Sequence, residues 1–316
     1  MNPKKNSEKV QLNGWLNIDK PLEMSSAQVV GKIKWLLKPL KVKIGHAGTL
    51  DPLASGVLPI ALGEATKASA YMMDARKVYR FTVQFGAETT TDDAEGEVTL
   101  QSDVMPTEEV LRGALGEFVG TIEQVPPAYS ALKIDGKRAY ALARAGEEVV
   151  LNARSVVIHR LELESYDAAA RQATFEVECG KGTYVRSLAR DLARKCNAHG
   201  HVSMLQRTRV GAFSLEGAIS LDFLEKMVHK ADSSSVMNAW EDVLMHVSAG
   251  LDDIPAFQVD TLQAHKVRHG QTFVTVIAPP DAELVQLLCG DDLVAVATIE
   301  PLGDGRWQVK SKRVFN

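Results

Sequence analysis

The stretch Gly45-His46-Ala47-Gly48-Thr49-Leu50-Asp51-Pro52-Leu53-Ala54-Ser55-Gly56-Val57-Leu58-Pro59-Ile60 sets one carboxylate among glycines, prolines and small apolar residues. Pro52 pushes Asp51 away from helical backbone, and the glycines leave room for another molecule to approach the main chain. An aspartate is ionised at neutral pH, and in such a loop it can serve as a nucleophile. A turn aspartate capping backbone amides fits the same residues. A second concentration of chemistry lies at 181–209, where Lys181, Arg186, Arg190, Arg194, Lys195, Arg207 and Arg209 face a single acid, Asp191.

Several familiar chemistries lack their signatures. There is no phosphate-cradling Gly-x-x-x-x-Gly-Lys-Ser/Thr, no Gly-x-Gly-x-x-Gly after a strand, and no Gly-x-Ser-x-Gly elbow, since Leu53 stands where a glycine before Ser55 is needed. Cys196, His199 and His201 cluster, as do His265 and His269, but neither group has a second ligand pair, so no metal is expected. Cys179, Cys196 and Cys289 are too scattered for a disulfide framework and suit a reducing cytoplasm. No run approaches the ~18 apolar residues of a membrane span, and residues 1–10 are polar, so neither membrane insertion nor export is expected.

The elements that must position Asp51 follow from pattern. Trp15-Leu16-Asn17-Ile18 reads as a strand broken at Asp19-Lys20-Pro21. Ser25 or Ser26 caps a helix that buries Val29, Val30, Ile33, Leu36 and Leu37 and ends at Pro39. Residues 45–63 read as a compact loop, 64–73 as helix, and 78–85 as a strand carrying Tyr79, Phe81, Val83 and Phe85 on one face. A polar, acidic stretch at 86–106 precedes an amphipathic helix at 107–119 and the Val125-Pro126-Pro127-Ala128-Tyr129-Ser130 turn. Strands follow at 155–158 and 174–179, and the latter runs through Gly180-Lys181-Gly182 into a helix with Val185, Leu188, Ala189 and Leu192 on one side and Arg186, Arg190 and Arg194 on another.

The 316 residues, 45% hydrophobic and 24% charged, describe a globular chain of about two domains. Its formal net charge of -4 hides segregation. Residues 1–50 carry nine lysines against three acids, whereas 213–260 carry two lysines against nine acids. The basic blocks suit a polyanion-binding face, and a solvated face fits charge alone equally well. The acidic segment 214–253, interrupted by Ser233-Ser234-Ser235, reads as a helical connector. Beyond Asp252-Asp253-Ile254-Pro255 a small β domain is expected, with strands at 284–288, 293–299 and 307–314 and a Gly303-Asp304-Gly305 turn.

The Asp51 stretch resembles the nucleophile loop of the tRNA pseudouridine synthase B family. Five further motifs carry the likeness in order. Gly14-Trp15-Leu16-Asn17-Ile18-Asp19-Lys20-Pro21-Leu22-Glu23-Met24-Ser25-Ser26 is similar to the family's opening, and Lys77-Val78-Tyr79-Arg80 to its second motif. Val125 through the turn to Ala131-Leu132-Lys133-Ile134-Asp135-Gly136 resembles the third. Gly180-Lys181-Gly182-Thr183-Tyr184-Val185-Arg186-Ser187-Leu188-Ala189 resembles the fourth, and Leu205-Gln206-Arg207-Thr208-Arg209-Val210-Gly211 the leucine-basic-threonine ending.

The resemblance implies an α+β protein: a pseudouridine synthase fold with a mixed, largely antiparallel central sheet over 1–253, and a small PUA-like RNA-binding β domain over 254–316. It implies isomerisation of uridine 55 in the T arm of tRNA, without cofactor or metal, by a monomer with no obligatory protein partner. Asp51 matches the catalytic aspartate, Tyr79 a tyrosine stacking on the flipped base, and Tyr184 a second pocket aromatic. Arg186 matches the arginine pairing with the nucleophile, Leu205 the apolar wall, His46 an RNA contact where the base leaves its stack, and Lys20 a lysine near the pocket. Taken alone, Tyr79 and Leu205 also fit the core, Arg186 a phosphate contact and His46 a loop histidine. Two other readings share the fold: a non-catalytic tRNA chaperone, disfavoured by the intact Asp51 motif, and an RNA-guided relative with partner proteins, disfavoured by the lack of long lysine-rich tails.

Overall fold

The computed structural model describes residues 12–130, 132–134, 136–145, 149, 151–230 and 235–316. Residues 1–10, Ala131 and Asp135 of the third motif, and Ser233-Ser234 lie outside them.

A ten-stranded sheet organises the first part of the chain. Its principal strands are β1 (Gly14–Lys20), β2 (Ala54–Leu62), β3 (Lys77–Phe85), β4 (Gly120–Gln124), β5 (Arg154–Asp167), β6 (Gln172–Cys179), β7 (Gly200–Val210) and β8 (Ile219–Ser220). They lie in the order β8-β1-β2-β7-β3-β6-β5-β4, with Ile44–His46 paired to β2 and Phe213–Ser214 to β7. Only β8–β1 and β7–β2 are parallel, so the sheet is mixed and largely antiparallel, as expected. Helices α1 (Ser26–Leu36), α2 (Glu108–Leu115) and α3 (Val185–Lys195) contribute to one core with Leu16, Ile18, Phe81, Phe175 and Val177 of the sheet.

Local sequence accounts for these elements. Ser25 caps α1 by accepting from the Gln28 amide, and Gln28 reaches back in a capping box. Alternation in β6 buries Ala173, Phe175, Val177 and Cys179 on one face. Phe81 and Phe175 stack across β3 and β6 with ring centroids 5.4 Å apart.

One expectation fails: 45–63 is not all loop. From Ala54 the chain forms β2, a strand inside the sheet that is almost wholly buried. Such a strand shows no polar alternation, and its glycine and prolines resemble loop text. Gly56 is required there, since at φ +98 a Cβ would stand 2.2 Å from the Arg207 carbonyl oxygen of β7. Pro59 is tolerated because its carbonyl accepts from Ala47 on the side away from β1, so its missing N–H breaks no β1–β2 bond. The helix expected at 64–73 is also divided, into a 3-10 turn at Gly63–Lys67 and an α-helical turn at Ser69–Asp74.

After α4 (Leu221–Lys230) and α5 (Val236–Val243) comes a second sheet of five strands. These are β9 (Ala256–Gln258), β10 (Phe273–Thr275), β11 (Val285–Cys289), β12 (Asp292–Pro301) and β13 (Trp307–Val314), in the order β9-β11-β12-β13-β10, with α6 (Thr261–Arg268) packed on them. Leu293, Val296 and Phe315 share a buried cluster with Trp15, Val57, Ala65 and Phe213 of the first part. Among the described residues no helix is long and apolar enough to cross a membrane.

The β2–β7 approach predicts that Gly56→Ala, which adds a backbone clash to a left-handed φ, lowers folding stability by about 2–3 kcal/mol. Thermal or urea unfolding measures this, and a variant melting with its parent would contradict the register.

Candidate active site

Asp51 follows the short strand Ile44–His46 and immediately precedes β2, and three buried groups hold its loop. Ser26, at the start of α1, accepts from the Leu50 amide at 2.9 Å and donates to the Leu50 carbonyl at 3.1 Å. Lys20, at the end of β1, directs its ammonium to the carbonyls of Pro21 at 2.8 Å, Met24 at 2.6 Å and Pro52 at 3.3 Å. Burial lowers its pKa to about 8, with Asp51 opposing that shift. Lys20 therefore lies beneath the loop and outside the cavities that Asp51 lines.

Arg207 is the third support. Its side chain is buried, Nε donating to the Val57 carbonyl at 2.7 Å and Nη2 to the Gly48 carbonyl at 3.1 Å. It pairs across the sheet with Tyr79. Burial pushes the Tyr79 pKa up, although Arg207 opposes the shift. Arg207 belongs to the basic run at 181–209 expected to form a face, but it is an interior strut. Its position in the leucine-basic-threonine motif was the available signal.

Arg186, in the first turn of α3, is the hub of the site, and its side chain is 5% exposed. Nη2 meets Asp51 Oδ2 at 2.9 Å and donates to the Tyr129 carbonyl at 3.1 Å. Nη1 meets Asp93 Oδ2 at 3.2 Å and donates to the Thr91 carbonyl at 2.9 Å. Asp93 is buried, and its other oxygen accepts from the Thr91 hydroxyl and the Glu95 amide. Asp51 is the open end of this chain, its side chain 38% exposed. Sequence reasoning missed Asp93, which lay unremarked in the acidic stretch 86–106; the adjacent Thr90-Thr91 was only a weak sign of a folded turn.

The next arginines of α3 also pair with acids of this chain, Arg190 largely buried and Arg194 half exposed, which corrects the polyanion-face expectation at Arg190. Arg190 meets Asp92 and Asp191 at 2.8 and 2.9 Å and donates to the Val125 carbonyl. Burial pushes the Asp92 carboxyl up to about 6 against the pull of Arg190. Arg194 and His199 grip Glu88 at 2.5 and 2.8 Å. Burial pushes Glu88 up, but these hydrogen bonds outweigh it and hold the carboxyl below its ordinary range. His201 bonds the Ala87 carbonyl, and Cys196 is buried.

A cavity of about 410 Å³ opens beside the Asp51 carboxylate, lined by Tyr79, Tyr184, Arg186, Leu205 and Arg207 among others. Tyr184 is fixed there by hydrogen bonds between its backbone and Gln124, and the Arg154 guanidinium stands 4.8 Å from its ring centre. His46 lines an adjoining cavity of about 820 Å³ that shares Asp51 and Arg186. Burial and Arg207 lower its pKa. Five of the seven expected site residues thus meet around the smaller cavity, His46 lies next door, and Lys20 lies beneath. The arrangement offers a fixed, accessible carboxylate at the edge of an aromatic and apolar slot suited to a planar heterocycle.

Comparison with known proteins decides the family. Residues 34–185 match the family model for the N-terminal domain of TruB family pseudouridylate synthases, and residues 186–252 match the tRNA pseudouridylate synthase B C-terminal domain. The chain belongs to the TruB family of tRNA pseudouridine synthases. It is 49% identical over 263 residues to tRNA pseudouridine synthase B of Sinorhizobium medicae, covering 83% of this chain and 84% of the relative. To the Bradyrhizobium diazoefficiens protein of that name it is 47% identical over 307 residues, covering 96% and 86%. The solved structure of a Cbf5-Nop10-Gar1 complex contains a chain that superposes with TM-score 0.76 at 26% identity, covering 96% of this chain and 85% of that one. TruB membership supports a pseudouridine synthase activity, that is, an isomerase acting on RNA.

The inward pairing of α3 predicts that Arg190→Gln, by leaving Asp92 without its partner, lowers the melting temperature while the salt dependence of tRNA binding stays unchanged. A phosphate-contacting arginine would instead reduce the slope of log affinity against log salt by ~1.

Proposed function

We propose that this TruB-family chain converts uridine 55 in the T arm of tRNA to pseudouridine, with Asp51 as the nucleophile. The observation that carries the reading is the Asp51–Arg186 ion pair at the edge of the cavity walled by Tyr79, Tyr184 and Leu205. The reaction breaks the bond between C1' and N1, turns the uracil, and joins C5 to C1'. The C5 proton leaves and N1 gains one, so there is no net redox change and no water is consumed. The chemistry needs a carboxylate that acts at C1' or C6 or assists a glycal route, and a site that holds the base during its turn.

Each side chain has a place in that scheme. The target base leaves its stack at a cost of a few kcal/mol, and stacking on Tyr79, worth roughly 1–3 kcal/mol, offsets it. Tyr184 and Leu205 complete the slot, and His46 contacts RNA where the base departs. Arg186 aims Asp51 through two hydrogen-bonding nitrogens anchored elsewhere. Lys20 acts at one remove, holding the Pro52 carbonyl and so the loop. The Tyr79 phenol, whose pKa burial raises, lines the same slot and can also take part in proton movement at C5.

The same reading assigns catalysis to residues 1–253 and RNA contact to a PUA-like domain at 254–316. It takes the protein to act as a cytoplasmic monomer without an obligatory protein partner. Cbf5 was solved in complex with Nop10 and Gar1.

Incubation with unmodified tRNA transcripts followed by pseudouridine mapping tests the reading. The native protein should modify position 55. Asp51→Asn, which keeps the shape and removes the charge, should lose at least ~10³-fold in rate while binding tRNA as before. Substantial turnover by Asp51→Asn would remove it as nucleophile, and binding with no turnover by either protein would favour a chaperone.

A further inference from the structure

Five residues line both cavities at the site: Thr49, Leu50, Asp51, Ser130 and Arg186. They mark the seam between the slot beside Tyr79 and Leu205 and the larger space beside His46. On the proposed function, the target uracil fills the slot. The nucleophile must then reach C1' or C6 next to the glycosidic bond, so the sugar of the target nucleotide lies at the seam.

Ser130 is unlike the other seam residues. It is 3% exposed, and its hydroxyl is buried without a hydrogen-bond partner. Its backbone is already paired, the amide donating to the Ala128 carbonyl and the carbonyl accepting from the Tyr140 amide. The preceding carbonyl, of Tyr129, accepts from the same Arg186 nitrogen that meets Asp51. The hydroxyl is therefore tied to the geometry of the nucleophile while making no bond of its own. Arg186 cannot take its place, since both terminal nitrogens are already committed to Asp51, Asp93 and two carbonyls.

An unpaired buried hydroxyl is costly to a fold and gains by acquiring a partner. At the seam the uncharged group that can both donate and accept is a ribose hydroxyl, the feature by which a protein distinguishes RNA from DNA. A serine has one side-chain torsion, so rotation about χ1 turns the hydroxyl toward the seam without moving the backbone.

We infer that Ser130 binds the 2'-hydroxyl of the target nucleotide and makes the site selective for ribose at that position. This assignment rests on the proposed function and names one contact within it. Affinity is measured with the full chain in an Asp51→Asn background, so that turnover does not intervene. The ligands are T-arm hairpins carrying uridine or 2'-deoxyuridine at the target position. With Ser130 present, loss of the 2'-hydroxyl should weaken binding about fivefold to tenfold. With Ser130→Ala the two hairpins should bind within about twofold of each other. The Ser130→Ala melting temperature should equal or exceed its parent's, because the hydroxyl makes no bond in the free protein; a marked fall would show a structural role and overturn the assignment. An equal deoxy penalty with and without the hydroxyl would also overturn it. Ser130→Cys, nearly the same shape with a weak donor, supplies a second comparison, and it too should lose the discrimination. If the native protein neither binds nor converts the uridine hairpin, the proposed function fails together with this contact. Conversion with an unaltered deoxy penalty removes the contact alone.

Discussion

One guanidinium shared by two carboxylates sets the conditions for the rest of the site. Arg186 is buried between Asp93, which is 2% exposed, and Asp51, which is open. Two carboxylates and two carbonyls leave its terminal nitrogens little freedom, so its direction is fixed before any substrate arrives. Removing one partner of such a buried pair typically costs about 3–5 kcal/mol, because the other charge is stranded. The interaction is thus a positional constraint more than a source of net stability. Its functional consequence is that Asp51 is aimed without being enclosed.

The surrounding elements satisfy that constraint from two sides. Lys20 and Arg207 from the sheet and Ser26 from the start of α1 fix the Asp51 loop through carbonyls and amides, leaving the carboxylate itself to Arg186. From the helix, Asp92–Arg190 and Glu88–Arg194 fasten the segment carrying Asp93 along α3. The β2–β7 pairing, close enough to demand Gly56, brings Leu205, which walls the cavity, level with Ala54, three residues after Asp51. Fold and site are linked through backbone register, since Arg207, whose carbonyl demands Gly56, also holds the Gly48 carbonyl of the Asp51 loop.

Much of this was legible from local pattern. The alternation of β3 and β6, the capping serine of α1 and the apolar stripe of α3 each announced an element because one face meets the core and the other does not. β2 escaped because a strand buried on both faces has no such contrast. The arginines of α3 were placed correctly on one side of the helix, yet their destination was misread. Sequence records that Arg190 and Arg194 share a face, not that Asp92 and Glu88, about a hundred residues earlier, come to meet them. Asp93 was hidden for the same reason: its partner, Arg186, is supplied by tertiary pairing. The motifs around Asp51, Tyr79, Arg186 and Leu205 carried the site as a resemblance, and the structure adds the carbonyl supports and the second carboxylate.

The most direct measurement of this account is a double-mutant cycle between Asp93 and Arg186, read by single-turnover pseudouridine formation and tRNA affinity. If the shared guanidinium aims Asp51, Asp93→Asn and Arg186→Lys should each slow the reaction by about tenfold or more. The double variant should be little slower than the slower single variant, since both changes disable one device. Affinity should remain within about threefold throughout. Rate losses that multiply in the double variant, or a loss of affinity that accounts for the lost rate, would contradict the claim that this interaction positions the nucleophile.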